Sequence, residues 1–311
     1  MQSGGGLGFA TEWGVNLLAL ALAIISLLIW VVLTFLRGAF WQVLAFDDDI
    51  AKKESLERWP RVAAVVPARN EAEFIARTVE SLAKQEYAGE LRVTVVDDHS
   101  EDGTGSLARE AAARAGASER VLILQGAALE SGWTGKLLAM KQGVESSVGQ
   151  EADYFWFTDA DIEHAPDTLR RLVQRAEKDN LDLVSLMVLA QVNSLPERLL
   201  IPPFLYFFLK LYPPSWTAGR RWKTAGAAGG CILLKRAALA RIGGLAAWAL
   251  MAITYLPTVR FHRMSPLWAA ALPVAAAFYT YATWVSAVRY WLGRGGQWKG
   301  RAQAPAKSSA Q

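Results

Sequence analysis

Apolar and polar positions divide the chain into three regimes. From Gly14 to Leu36 the residues are almost continuously apolar and carry no charge, about the 20 residues a helix needs to cross a bilayer. From Arg61 onward, short apolar runs alternate with segments of helical periodicity. From Leu245 the chain is apolar again to Val259, and then from Ser265 to Val288, with Pro257, Arg260 and Arg263 as interruptions. The ends read as membrane segments and the middle as a folded domain.

Within the middle regime, Val62–Val66 predicts a buried strand that stops at Pro67. Asn70 is placed to cap the next helix, with Glu73 at its third position, and Phe74, Ile75, Val79 and Leu82 recur at helical spacing. Arg92–Val96 predicts the second strand, followed by an Ala-rich helix to about Ala115 and a third strand over Val121–Leu124. A helix is expected from Thr134 to about Val144, a strand over 154–158, and a helix to about Lys178 with Pro166 in its first position. Leu183–Val188 and Cys231–Leu234 are the last strands. Alternation of this kind predicts an α/β layer with a mostly parallel sheet and flanking helices.

Charge sets the expected topology. Arg37, Lys52, Lys53, Arg58 and Arg61 follow the first apolar span and no Lys or Arg precedes it. The positive-inside rule then makes residues 1–40 a signal anchor with the next domain in the cytoplasm, at the inner membrane. A cleaved signal peptide is disfavoured by the missing basic start. Residues 198–216 are apolar but bounded by prolines, and predict a segment lying in the membrane interface, the alternative being a buried helix. Residues 245–290 predict two C-terminal membrane segments, and 291–311 a disordered basic tail. The chain of 311 residues is 52% hydrophobic with 13 tryptophans and a net charge of +4, and its mean hydropathy is +0.16. That excess charge is too small to argue for nucleic acid. Cys231 stands alone, which excludes an internal disulfide, and His99, His164 and His262 are too few for a His-rich metal site.

Chemistry gathers at strand ends. Phe155-Trp156-Phe157-Thr158 runs into Asp159-Ala160-Asp161, two carboxylates where α/β sheets bind ligands. By itself this is also what an Asp-rich turn looks like. Hard oxygen donors suit Mg²⁺ or Mn²⁺, which share their shell with substrate phosphates. Pro67-Ala68-Arg69-Asn70-Glu71 and Asp97-Asp98 would converge on the same edge. Gly103-Thr-Gly105 is too far from its strand for a dinucleotide turn, and Gly135-Lys136 is followed by Leu137 rather than the Ser or Thr of a P-loop.

In this order the segments Val-Val-Pro-Ala-Arg-Asn-Glu, Val-Val-Asp-Asp-His-Ser-Glu-Asp-Gly-Thr and Thr-Asp-Ala-Asp resemble a family 2 glycosyltransferase of the GT-A fold. Gly132-Trp133-Thr134-Gly135-Lys136 and Ala228-Gly229-Gly230-Cys231, with the apolar ends, resemble the hopene-associated glycosyltransferases and, more distantly, ceramide glucosyltransferases. The resemblance implies a cytoplasmic GT-A domain over 61–244, a nucleotide-sugar donor (a UDP-sugar) and a lipid acceptor such as a hopanoid. It also implies that Pro67, Ala68, Asn70, Glu71 and Asp98 hold the nucleotide, supported by Asp97. Asp159 and Asp161 would bind the divalent metal on the diphosphate, with Lys136 as a further candidate there.

The chain departs from that family beyond Gly243-Gly244. An acidic base and a Gln/Arg-x-x-Arg-Trp motif belong there, but no Asp or Glu follows Glu197, and Arg220-Arg221-Trp222 precedes the glycine loop. The expectation is an internal deletion after Gly244 that removed acceptor-side elements. Two other functions therefore stay open: a nucleotide-sugar-binding protein without turnover, and a nucleotidyltransferase on the same sheet.

Overall fold

The computed structural model describes residues 6–42, 56–130, 133–146, 151–217, 226–241, 297–298 and 301–302, with the side chains of the first helix described from Leu20. The chain divides into two compact units, Met1–Ala45 with Leu205–Gly226, and Phe46–Phe204 with Ala227–Gln311.

The larger unit is built on a 6-stranded sheet. Its strands are β1 Val62–Ala68, β2 Leu91–Asp97, β3 Val121–Gln125, β4 Tyr154–Thr158, β5 Leu183–Ser185 and β6 Cys231–Lys235, in spatial order β3-β2-β1-β4-β6-β5. Every residue of β1 and β4 is buried, as expected of strands covered on both faces. Side chains alternate across the sheet. Val62, Ala64 and Val66 of β1 face α2 (Ile75–Ala83), α3 (Thr104–Arg114) and α5 (Thr168–Lys178) through Ile75, Val79, Ala108, Leu169 and Leu172. Ala63 and Val65 share the other face with Phe155, Phe157 and Ile232, packed against Leu137 and Met140 of α4 (Gly135–Glu145) and Leu239 of α8 (Arg236–Arg241). A methyl at Gly143 would collide with Val65, so glycine lets α4 lie close on the sheet.

Strand β1 runs parallel to β2 and β4, and β2 to β3, while β6 is antiparallel to both β4 and β5. The sheet is thus mixed, with one reversed strand. That reversal matters, because it sets Cys231, the first residue of β6, opposite Thr158, the last of β4.

Several predicted boundaries move. Strand β1 continues through Pro67 to Ala68, because pairing with β4 ends at Val65 and the proline falls where β1 has a neighbour on one side only. Asn70 does not cap α2, which begins at Ile75 behind an N-cap at Phe74 without a side-chain bond. Pro166 precedes the helix rather than opening it, since α5 starts at Thr168. Strand β5 stops at Ser185.

The predicted interfacial segment, 198–216, is helical from three residues earlier and ends sooner, as α6, Leu195–Leu211, with Pro202 and Pro203 inside it. Its start lies outside the proline boundary because Ser194 and Glu197 form a reciprocal cap. The Glu197 carboxylate accepts the N–H groups of Asn193 and Ser194 at 2.8 Å, and Ser194 Oγ accepts that of Glu197 at 3.4 Å.

In the smaller unit, α1 spans Gly6–Leu36, and its Leu, Ile, Val and Phe side chains from Leu20 to Leu36 are largely exposed. Among the residues whose side chains are described, no helix is long and apolar enough to cross a membrane. The turn after α1 is bolted to the end of α6 and to α7 (Pro214–Thr217). The Arg37 guanidinium donates to the carbonyls of Lys210 at 2.9 Å and Leu211 at 3.2 Å and lies 4.8 Å from the Trp216 ring. Phe40 meets Tyr206 edge-on at 5.2 Å, and Ser215 Oγ donates to Gly38 O at 2.6 Å. The predicted membrane segments over 245–290 lie outside the described residues. Of the tail expected to be disordered, Gln297–Trp298 and Arg301–Ala302 pair as a short antiparallel ladder, β7 and β8.

Candidate active site

The carboxyl ends of β1, β2 and β4 lie side by side, with Ala68 level with Asp97. The loops that leave these ends carry the candidate residues, so Pro67, Ala68, Asn70, Glu71, Asp97, Asp98, Asp159 and Asp161 share one edge of the sheet. Lys136, from the first turn of α4, reaches the same edge through an ion pair with Asp159.

The β1 and β2 loops are sewn to each other. Asp98 N–H donates to Ala68 O at 2.8 Å. Asn70 N–H donates to Ser100 Oγ at 3.0 Å, and Asn70 Oδ1 accepts Glu101 N–H at 2.9 Å. Glu71 N–H reaches Thr104 Oγ1 at 2.8 Å, and Ala72 N–H reaches Asp102 Oδ2 at 3.0 Å. Arg69 donates to Asp98 O at 2.5 Å and pairs with its carboxylate at 3.8 Å. Asn70 at φ 51 and His99 at φ 57 take left-handed backbone to make these turns, a conformation Asn and His tolerate better than most residues. Burial raises the Asp102 carboxyl, but hydrogen bonds from Thr104 and Ala72 outweigh it and hold the group below its usual range.

Asp97 braces this cradle from beneath. Its Oδ1 accepts Ser100 N–H at 3.0 Å, and a Cβ at Gly105 would strike its other oxygen. Asp98 is buried, its side chain 3% exposed between Arg69 and His99. Glu71 is buried as well, whereas Asn70 is open to solvent. Glu71 and Asp98 are therefore held in the floor of the site and Asn70 stands at its rim.

The Asp159–Asp161 loop is held differently, from a helix far away in sequence. Thr78 Oγ1 on α2 donates to Ala160 O at 2.7 Å. Ser81 Oγ accepts His164 N–H at 3.1 Å. Gln85 donates to Ala165 O at 2.8 Å and accepts Leu169 N–H at 2.9 Å. His164 Nε2 sits 2.8 Å from Thr158 Oγ1, and its ring lies 4.6 Å from that of Trp156. Burial pushes the imidazole down to about 4, so it is neutral here. On the other side Asp159 N–H donates to Gly230 O at 3.2 Å, a contact that the reversed β6 makes available. Cys231 next to it is buried and donates no chemistry, burial pushing its thiol up to about 11.

The side chains that brace this loop, Thr78, Ser81, Gln85 and His164, were not among the predicted site residues. For Thr78 and Ser81 the available signal was their spacing on the face of α2 that also carries Ile75, Val79 and Leu82.

Among the described residues no group of three or more His, Cys, Asp or Glu is arranged to hold a metal. The candidate metal donors on the loop after β4 are the carboxylates of Asp159 and Asp161, a set Mg²⁺ or Mn²⁺ takes when phosphate oxygens and water complete its shell. A cation already sits on one of them, Lys136 Nζ being 2.5 Å from Asp159 Oδ1. The residues fit a metal that arrives with a phosphorylated ligand. A hollow of about 280 Å³ bordered by Tyr87, Glu90, Arg92 and Arg120 lies at the opposite, amino-terminal edge, and no candidate residue lines it.

The chain is 33% identical over 89 residues to "Probable glycosyltransferase YdaM" of Bacillus subtilis (strain 168), an alignment covering 27% of this chain and 21% of that protein. It is 33% identical over 139 residues to "Succinoglycan biosynthesis protein ExoO" of Rhizobium meliloti (strain 1021), covering 42% and 36%. These alignments span well under half of either relative. A solved structure, the mannosyltransferase PcManGT from Pyrobaculum calidifontis in complex with GDP-Man and Mn2+, aligns with TM-score 0.47 at 22% identity, over 75% of this chain and 65% of that one. Residues 63–243, more than half of the chain and all of the six-stranded sheet but Val62, match Glycosyl transferase family 2, and the chain belongs to that family.

Proposed function

We propose that the chain transfers a sugar from a nucleotide-diphospho-sugar, a UDP-sugar, to a lipid acceptor in the cytoplasmic membrane, with inversion. The observation that carries this reading is the Lys136–Asp159 ion pair on the sheet edge that also carries the sewn β1–β2 cradle, inside the segment that matches the family. In this reading Pro67, Ala68, Asn70, Glu71 and Asp98 receive the nucleotide, and Asp97 keeps their loops in shape. Asp159 and Asp161 would hold Mg²⁺ or Mn²⁺, which when bound neutralises charge on the leaving diphosphate. Lys136 adds a second positive charge on the same side.

The membrane part of the proposal is supported by the exposed apolar side chains of α1 and by the Arg37, Trp216 and Lys210 cluster at its end. Aromatic and basic residues of that kind suit the headgroup level of a bilayer. A hopanoid is the acceptor suggested by the motif resemblance alone.

A second reading is favoured by one observation: no Asp or Glu follows Glu197, so the acceptor side of this chain supplies no carboxylate base. The protein would then bind donor without transferring sugar. The test is a screen of labelled sugar nucleotides against extracted lipids, using membranes that carry the full chain. Label entering the lipid fraction, and its loss with Asp161→Ala, is the expected result. Donor binding without transfer selects the second reading, and pyrophosphate release from a nucleoside triphosphate would instead make the protein a nucleotidyltransferase.

A further inference from the structure

Lys136 occupies an awkward position for a cation. It lies in the first turn of α4, whose N-terminus is capped by Thr134 accepting from Leu137 N–H. The macrodipole disfavours positive charge at that end of a helix. What offsets this is Asp159: Nζ and Oδ1 are 2.5 Å apart, with the two side chains 34% and 19% exposed. The other Asp159 oxygen lies on the Gly230 side, 3.9 Å from where a Cβ would stand. One ammonium thereby offsets one of the two carboxylates that the proposed metal site has to offer.

We propose that Lys136 is a built-in competitor for the metal, so that a divalent cation binds well only together with the nucleotide diphosphate. With no nucleotide present, a metal must either displace the ammonium from Asp159 or sit beside it, and like charges at that range repel. A diphosphate changes the balance. It brings several negative charges, gives Lys136 a new partner, and frees the Asp159 oxygen for the metal. Metal and nucleotide affinity are then linked through one side chain, and the linkage is reciprocal. This inference rests on the metal reading of Asp159 and Asp161 given above.

The experiment is a calorimetric titration of Mn²⁺ into the detergent-purified full chain, with and without UDP, for the parent, Lys136→Met and Lys136→Arg. Lys136→Met is expected to bind Mn²⁺ alone about tenfold more tightly than the parent, the low end of what one adjacent charge does to a carboxylate's affinity for a cation. UDP should then tighten Mn²⁺ binding less in Lys136→Met than in the parent. Lys136→Arg keeps the charge and should stay close to the parent, which separates the effect of charge from any general loosening of α4. Equal or weaker Mn²⁺ binding by Lys136→Met overturns the competitor role while leaving the metal site standing. No Mn²⁺ binding by any of the three, with or without UDP, overturns both.

Discussion

The two halves of the candidate site stand on the same sheet edge but are held by opposite means. The β1–β2 cradle is fastened by short loops that bond to each other, through Asn70, Ser100, Glu101, Asp102 and Thr104. Several of these bonds are open to solvent. The Asp159–Asp161 loop is fastened from beneath by buried groups on α2 and by His164. A hydrogen bond at the rim exchanges for one with water when it breaks, whereas a buried group left without its partner bears the full desolvation cost. The two halves should therefore respond very differently to substitution.

The largest effect is expected where the carboxylates themselves are removed. Asp161→Ala should abolish Mn²⁺-dependent UDP binding in calorimetry while costing the fold less than the loss of a buried brace, because Asp161 is only part-buried. A variant that binds UDP with Mn²⁺ as the parent does would remove the metal from this half of the site.

Acid should separate the halves next. His164 has its folded-state pKa pushed down to about 4 by burial, against about 6.5 in the unfolded chain. The unfolded state thus takes up the proton first. Stability is at its full value above pH 6.5 and is lost as the pH falls from there toward 4, by up to about 3 kcal/mol for this one group. Urea midpoints measured across that range should fall for the parent. For His164→Gln, which keeps a polar group but does not titrate, the His164 share of the slope should vanish. An unchanged slope in His164→Gln would place the acid sensitivity elsewhere.

The brace on α2 is expected to show a smaller but more specific effect. Thr78→Val keeps the shape and removes the donor to Ala160 O, which strands a buried carbonyl at a cost of about 1–3 kcal/mol. If Thr78 positions the loop, Mn²⁺–UDP binding should weaken more than in Val79→Ala, which trims the same helix on its apolar face. Equal weakening would reduce the brace to ordinary packing.

This contrast also explains what the sequence could disclose. The cradle was legible because its partners are neighbours in two short motifs, and those motifs carry the chemistry in their own residue types. The fold was legible for the same reason: β1, β2 and β4 announce themselves as apolar runs ending in polar loops. What stayed hidden depends on distant partners. Thr78 looks like a helix residue until Ala160, 82 positions away, is set against it. The reversal of β6 is invisible because a buried strand has the same composition in either direction, and only the pairing of Thr158 with Cys231 reveals it. Helix α6 starts earlier than Pro202 and Pro203 suggest because Ser194 and Glu197 cap it.

The smallest effect is expected at the rim of the cradle, and it can be split into two parts at Asn70. Its side chain accepts Glu101 N–H at an exposed position, and its backbone is left-handed at φ 51. Asn70→Gly removes the side-chain bond but suits that backbone, so only the bond is lost, about 0.5–1 kcal/mol at a site where water replaces it. Asn70→Ala loses the same bond and places in left-handed backbone a residue without the local hydrogen bonding that lets Asn tolerate it, at up to about 1–2 kcal/mol more. Denaturant midpoints should therefore rank parent, Asn70→Gly, Asn70→Ala in descending order, with the larger gap between the last two. If Asn70→Gly instead costs as much as Thr78→Val, the rim bond is as protected from water as the buried brace. The two halves of the site would then be held by the same kind of interaction after all.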